Sequence, residues 1–223
     1  MKKFILSVIS LTLLTSNAFT DETPAKNMAV GAKVSTLGLG IEAVKPVGKV
    51  DLRLGINQAT YSADGTIDGA DYKADLDAQT VSALADWHPA KNGFFVSGGL
   101  MLNDNKLAGT ATANGTKTIK IGDADKPISS GTVTTSISFD DVSPYTGIGY
   151  RHAIEGKKSW GFTSELGVLY QGSPEIGLAI DDATKASAGI TDTDIAQEEA
   201  KMRDDVKDFK YYPVASIGLV YNF

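Results

Sequence analysis

Residues Tyr211 to Phe223 read YYPVASIGLVYNF. Tyr211, Pro213, Ala215, Ile217, Leu219, Tyr221 and Phe223 fall on one side of an extended chain, and Tyr212, Val214, Ser216, Gly218, Val220 and Asn222 on the other. A period of two sustained over this length predicts a β-strand. The sequence stops on an aromatic residue with no polar tail after it.

The same alternation recurs upstream. Leu37, Leu39, Ile41 and Ala43 share one phase, as do Val50, Leu52, Leu54 and Ile56, then Val81, Ala83, Ala85 and Trp87. Phe94, Val96, Gly98, Leu100 and Leu102 continue the pattern, followed by Pro144, Thr146, Ile148 and Tyr150, and by Trp160, Phe162, Leu166, Val168 and Tyr170. Their connections alternate in length. Short links join at Lys45–Lys49, His88–Gly93 and His152–Ser159, whereas Ser62–Asp71, Asn103–Gly131 and Gly172–Lys210 are long. Sorting by parity is the habit of a barrel with tight turns at one rim and long loops at the other. Antiparallel closure needs one more strand, and Met28–Val34 supplies it, with Met28, Val30, Ala32 and Val34 in one phase. The expected fold is therefore all-β: a closed antiparallel transmembrane β-barrel of eight strands.

The N-terminus agrees with export. Lys2 and Lys3, an apolar run from Phe4 to Leu14, and Ser16-Asn17-Ala18 have the layout of a secretory signal peptide. The run is too short to cross a bilayer as a helix. The expected division is a signal peptide at 1–18, a linker at 19–27 and a barrel at 28–223. No cysteine is present, which excludes disulfides, thiolate metal sites and cysteine nucleophiles. A net charge of −6 argues against nucleic acid as a partner. A mean hydropathy of −0.07 is compatible with a membrane barrel, because only alternate residues would face lipid.

Aromatic residues sit where two interfaces would lie. Trp87, Tyr150, Trp160, Tyr221 and Phe223 fall at the short-turn ends, and Tyr61, Tyr72, Phe139, Tyr170 and Tyr211 at the long-loop ends. Trp160 and Tyr170 are ten residues apart, as are Tyr211 and Tyr221. At about 3.3 Å per residue and a tilt near 40°, that spacing spans roughly 25 Å, the height of an outer-membrane apolar band.

Taken together, TLGLGIEAV (36–44), VDLRLGIN (50–57), SPYTGIGYRH (143–152), WGFTSELGVLY (160–170) and the terminal YNF resemble the small eight-stranded outer-membrane barrels of Gram-negative bacteria, the OmpA, OmpW and opacity-protein group. The resemblance implies an outer-membrane location among lipid and lipopolysaccharide. It also implies a C-terminal signal, Tyr221 and Phe223, read by the barrel assembly machinery. No residue signature fixes a subfamily, so no functional site is carried over.

The inward phase holds Glu42, Asp51, Arg53, Asp86, His88, Arg151 and Glu165. An eight-stranded barrel is about wide enough for side chains to fill. Two readings follow: a salt-bridged plug, leaving function to the long loops, or a narrow polar conduit for small solutes. In the first long link, Asp64, Thr66, Asp68, Gly69 and Asp75 partly match an EF-hand loop, so a calcium site is set against a solvated acidic hairpin. The second link, rich in Thr, Ser, Gly and Asn, predicts a polar hairpin prolonging the barrel strands. In the third, Thr191 or Asp192 caps a helix over 191–207 whose Ile195, Met202, Val206 and Phe209 form an apolar stripe. That helix reads as a lid or as packing on the barrel rim. Only two histidines exist, both beside short turns and without an adjacent serine motif, so no catalytic site is expected. A secreted soluble barrel binding a small ligand is the remaining class.

Overall fold

A computed structural model describes residues 28–67, 70–90, 92–122, 124–152 and 158–223. The expected signal peptide and linker lie outside the described residues. Eleven strands and two helices follow in order: β1 (Ala29–Ser35), β2 (Gly38–Val47), β3 (Val50–Ile67), β4 (Ala70–Trp87), β5 (Phe94–Asn103), β6 (Lys106–Ile121), β7 (Ala124–Ser138), β8 (Val142–Arg151), β9 (Ser159–Tyr170), β10 (Glu175–Ile180), α1 (Asp182–Ala188), α2 (Asp192–Val206) and β11 (Tyr211–Asn222).

Eight of these strands close on themselves. β1 pairs with β2 and β11, β2 with β3, β3 with β4, β4 with β5, β5 with β8, β8 with β9, and β9 with β11, every pair antiparallel. Closure removes every sheet edge within the ring. The first strand, the weakest in the sequence, is real: Ala29–Ser35 pairs residue for residue with Ser216–Asn222. Along each ring strand burial alternates as the phases require. Leu39, Leu52, Leu54, Leu100, Ile148, Leu166, Ile217 and Leu219 point outward and are exposed, although they are among the largest apolar side chains in the chain.

Three strands beyond the expected eight lie outside the ring, and one strand makes this possible. β4 changes partner halfway along. Its Thr80–Trp87 half pairs with β5, and its Ala70–Asp77 half pairs with β6. β6 then pairs with β7, and β7 with β10, so β3-β4-β6-β7-β10 form a second, open sheet above one rim. What the sequence presents as loops at 62–71 and 103–131 is thus mostly regular strand. The polar hairpin at 106–138 does not prolong the strands that flank it; it docks on the outer half of β4.

Both helices belong to this second sheet. The sequence predicts one helix, and α2 matches it, with Thr191 as N-cap and a full capping box between Thr191 and Asp194. α1 is additional, capped by Asp181, whose carboxylate accepts from the Thr184 N–H at 2.8 Å. The helices do not rest on the ring's rim. They cover the far end of the sheet, where Ile121, Ile128, Ile180, Ala188 and Ile190 form a buried core with Val133, Leu178 and Ile195 against it.

Candidate functional site

Inward-facing residues of the ring are set by the pleat: every second side chain of each strand enters the lumen. On β3 these are Asp51 and Arg53; on β2, Glu42; on β4, Asp86; on β8, Arg151; on β9, Glu165. All six are buried, and the structure brings all six together. Arg53 is the hub. Its Nη1 and Nη2 donate to Glu165 at 2.7 and 2.8 Å, a two-pronged fork that matches the planar carboxylate. Its Nε lies 3.0 Å from Asp86 Oδ2, its Nη2 reaches Ser97 at 3.0 Å, and its Nη1 reaches Glu42 at 3.3 Å.

Asp86 bridges to the second arginine, accepting from Arg151 Nη2 at 2.7 Å while Arg151 Nη1 donates to Asp51 at 2.8 Å. His88 meets Asp51 at 2.9 Å, and Lys33 donates to Glu42 at 3.0 Å. Four carboxylates thus face Lys33, Arg53 and Arg151, leaving the ionic cluster close to neutral. That near-balance lets full charges persist out of water, since an isolated buried charge is prohibitive. Strands far apart in sequence, β2, β3, β4, β8 and β9, are tied across the lumen by these contacts.

Several participants escape a reading for charge alone. Phe95, wholly buried, lies with its ring 4.8 Å from the Arg151 guanidinium carbon and 5.7 Å from that of Arg53. These are cation–π distances. Tyr145 donates to Glu165 at 2.7 Å. Its phenol crosses Gly147 and Gly167, where a β-carbon would collide with it. Lys33, Ser97, Phe95 and Tyr145 all sit in the inward phase, and that phase is the signal that finds them.

Toward the end bearing the long connections, the lumen turns apolar. Leu37, Leu84, Met101, Tyr145, Leu169 and Val214 form one buried cluster with Tyr212 packed against it. The ring interior is therefore filled in two layers, an ionic one and an apolar one. Sequence reading expects only the first.

The remaining expected site residues are placed as follows. Trp87, Tyr150, Trp160 and Phe223 are exposed at the short-turn rim, where the Trp160 and Tyr221 rings lie 5.1 Å apart and Tyr221 and Phe223 5.2 Å apart. Tyr170 and Tyr211 are exposed at the opposite rim, 5.4 Å apart. Tyr61 and Tyr72 do not join that girdle. Both lie past the ring, on the face of the second sheet continuous with the lumen, because β3 and β4 run on without a break.

Asp64 and Asp75 do not lie in a loop. Asp64 pairs in register with Lys73 and Asp75 with Ser62, on adjacent strands. The Asp75 carboxylate is taken by Lys73 Nζ at 2.7 Å and the Ser62 hydroxyl at 2.6 Å. Those contacts hold its proton affinity below the usual carboxylate range, Lys73 contributing most. Asp68 lies outside the described residues. Among the described residues no group of three acidic or histidine side chains that could hold a metal occurs.

With this geometry in view, the chain can be set beside known proteins. No protein-family model matches it, and no curated protein does. Among solved structures, two that share its fold are CarO proteins. Acinetobacter baumannii CarO is 24% identical with a TM-score of 0.57, covering 87% of this chain and 97% of its own. Acinetobacter baumannii CarO2 is 23% identical with a TM-score of 0.59, covering 88% of this chain and 98% of its own.

Proposed function

We propose that this protein is an integral outer-membrane β-barrel with a sealed lumen, acting through the sheet and helices that it displays outside the cell. The observation that carries the reading is the inversion of its surfaces. The ring turns leucine, isoleucine and valine outward and arginine, aspartate and glutamate inward. In water the apolar outward face is costly; in lipid it is favourable, while the inward charges are satisfied by one another. Aromatic clusters at Trp160–Tyr221–Phe223 and Tyr170–Tyr211 bracket the apolar belt, as interfacial girdles do. The similarity to CarO supports the barrel fold, and the membrane assignment rests on the belt.

A sealed lumen follows from the two filling layers, and the role is a non-catalytic one. His88 is engaged by Asp51 and by the Phe94 carbonyl at 3.1 Å. The competing reading, a narrow conduit for small solutes, draws on the polarity of the same lumen. Single-channel recording of the refolded protein in a planar bilayer separates them, with a heat-modifiable gel shift confirming the folded barrel. A silent bilayer is expected. Discrete, reproducible current steps would transfer the function to the lumen.

A further inference from the structure

The second sheet has two lateral edges, and they are treated differently. At one edge, β10 is guarded: α2 packs beside it, and Glu199 accepts a hydrogen bond from the Leu178 N–H at 2.8 Å. At the other, β3 outlasts its neighbour. β2 pairs with β3 only as far as Leu39 opposite Gln58, while β3 continues to Ile67 with β4 on its far side. From Ala59 to Ile67 one side of the strand has no partner strand among the described residues. Exposed edges are normally blunted by lysine, proline, a bulge or a covering element. This one carries no lysine or proline, and its register with β4 runs from Val50 to Ile67 without a shift.

We propose that this edge is an interaction surface for a second copy of the same chain, joined by antiparallel addition of β3 to β3. The side chains are self-complementary in one register. With Ala63 opposite Ala63 of the second copy, Tyr61 falls opposite Gly65, Ser62 opposite Asp64, and Thr60 opposite Thr66. Tyr61 is two-thirds exposed, and the position of a β-carbon on Gly65 meets open space, so the ring has a bare glycine to lie across. Ser62 donates its hydroxyl proton to Asp75, and the new pairing sets Asp64 directly opposite Ser62, not directly opposite a second aspartate. Each complementary pair occurs twice by symmetry. Cross-strand pairs of these kinds are what fix a sheet's register.

The symmetry has a consequence for orientation. Antiparallel strands that keep the same face outward are related by a two-fold axis perpendicular to the sheet. The barrel axis runs along its own wall, so that operation reverses it. The two barrels therefore point in opposite directions, mouth to mouth. Read with the membrane assignment above, on which this last step rests, the contact joins proteins in two apposed outer membranes. It does not join neighbours in one membrane.

The chain has no cysteine, so single-cysteine variants report the register cleanly. Directly opposite residues place their α-carbons about 4.5–5.5 Å apart, inside the range a disulfide bridges. Folded, detergent-solubilised Ala63→Cys is therefore expected to form a disulfide-linked dimer under mild oxidation. Ser62→Cys, displaced from its own copy, is expected to pair without forming a disulfide, and a mixture of Ser62→Cys with Asp64→Cys to cross-link. Wild-type protein should sediment with a doubled protein mass, and Gly65→Glu, which has room in the monomer, should return it to monomer with the gel shift unchanged. Liposomes carrying wild-type protein should cluster, and those carrying Gly65→Glu should not. Equal cross-linking of Ala63→Cys and Ser62→Cys, or a monomer in detergent, would overturn self-pairing. Cross-linking in cells to a different protein would reassign the edge to that partner. A dimer in detergent without liposome clustering would retain the edge contact and remove its opposed-membrane orientation, while loss of the gel shift would instead count against the membrane reading.

Discussion

Replacing Arg53 with methionine removes the hub of the lumen while keeping most of its volume. Arg53 is 2% exposed and holds Glu165 by a bidentate pair, Asp86 at 3.0 Å, Ser97 at 3.0 Å and Glu42 at 3.3 Å. After the substitution, four buried carboxylates face only Lys33 and Arg151, and Glu165 keeps a single donor, the Tyr145 hydroxyl. Breaking a buried ion pair by removing one partner costs about 3–5 kcal/mol, because the surviving charge is left uncompensated. The expected loss for Arg53→Met lies in that range. Arg53→Lys restores the charge but not the fork, and should recover only part of it. Stability can be followed by denaturant unfolding in detergent or lipid vesicles, with Trp87 and Trp160 as intrinsic fluorophores. A double variant that also changes Glu165 to leucine removes the stranded charge, so the two losses should be far from additive. Arg53→Met unfolding within about 1 kcal/mol of wild type would refute the account of a charge-balanced plug, since that is the scale of a solvated pair.

The lipid-facing belt gives a second test: Leu166→Arg, midway between Trp160 and Tyr170, should cost about 2–4 kcal/mol in a bilayer, whereas a change of under about 0.5 kcal/mol would fit an ordinary exposed surface position. Thr191→Ala deletes the capping box of α2 and should destabilise it by about 1 kcal/mol, seen as faster proteolysis of 192–206 with the gel-shifted barrel intact. Asp181 offers a pH test. The Thr184 hydroxyl first, then the Thr132 and Thr184 N–H groups, lower its proton affinity to about 2 from an ordinary 3.8. Its contribution is thus complete above about 3.8 and lost as pH falls toward 2. The Thr184 amide resonance should titrate in that window in wild type and not in Asp181→Asn. Glu199→Ala uncovers the Leu178 N–H on β10 and should raise self-association at that edge, measured by sedimentation in detergent.

Much of the ring was legible in the sequence because a closed barrel writes a strict code: each strand alternates, and a shift of one residue would put arginine in lipid. That code yielded all eight ring strands, the inward position of Glu42, Asp51, Arg53, Asp86, Arg151 and Glu165, and the rim positions of Trp160, Tyr170, Tyr211 and Phe223. α2 was legible for a different reason: a cap and a 3.6-residue stripe are local signals. What alternation cannot say is which strand lies beside which once the chain leaves the ring. Residues 106–138 alternate too weakly to declare a buried face, since their core is formed by α1 and β10, some forty residues later. Only tertiary structure decided that β4 would share its length between β5 and β6, and that the lumen's upper layer would be apolar. The convergence of Arg53, Glu165 and Asp86 into one network was also a tertiary decision. Periodicity assigns a side chain to a face; the stagger of the closed ring, which no single strand contains, determines what it meets there.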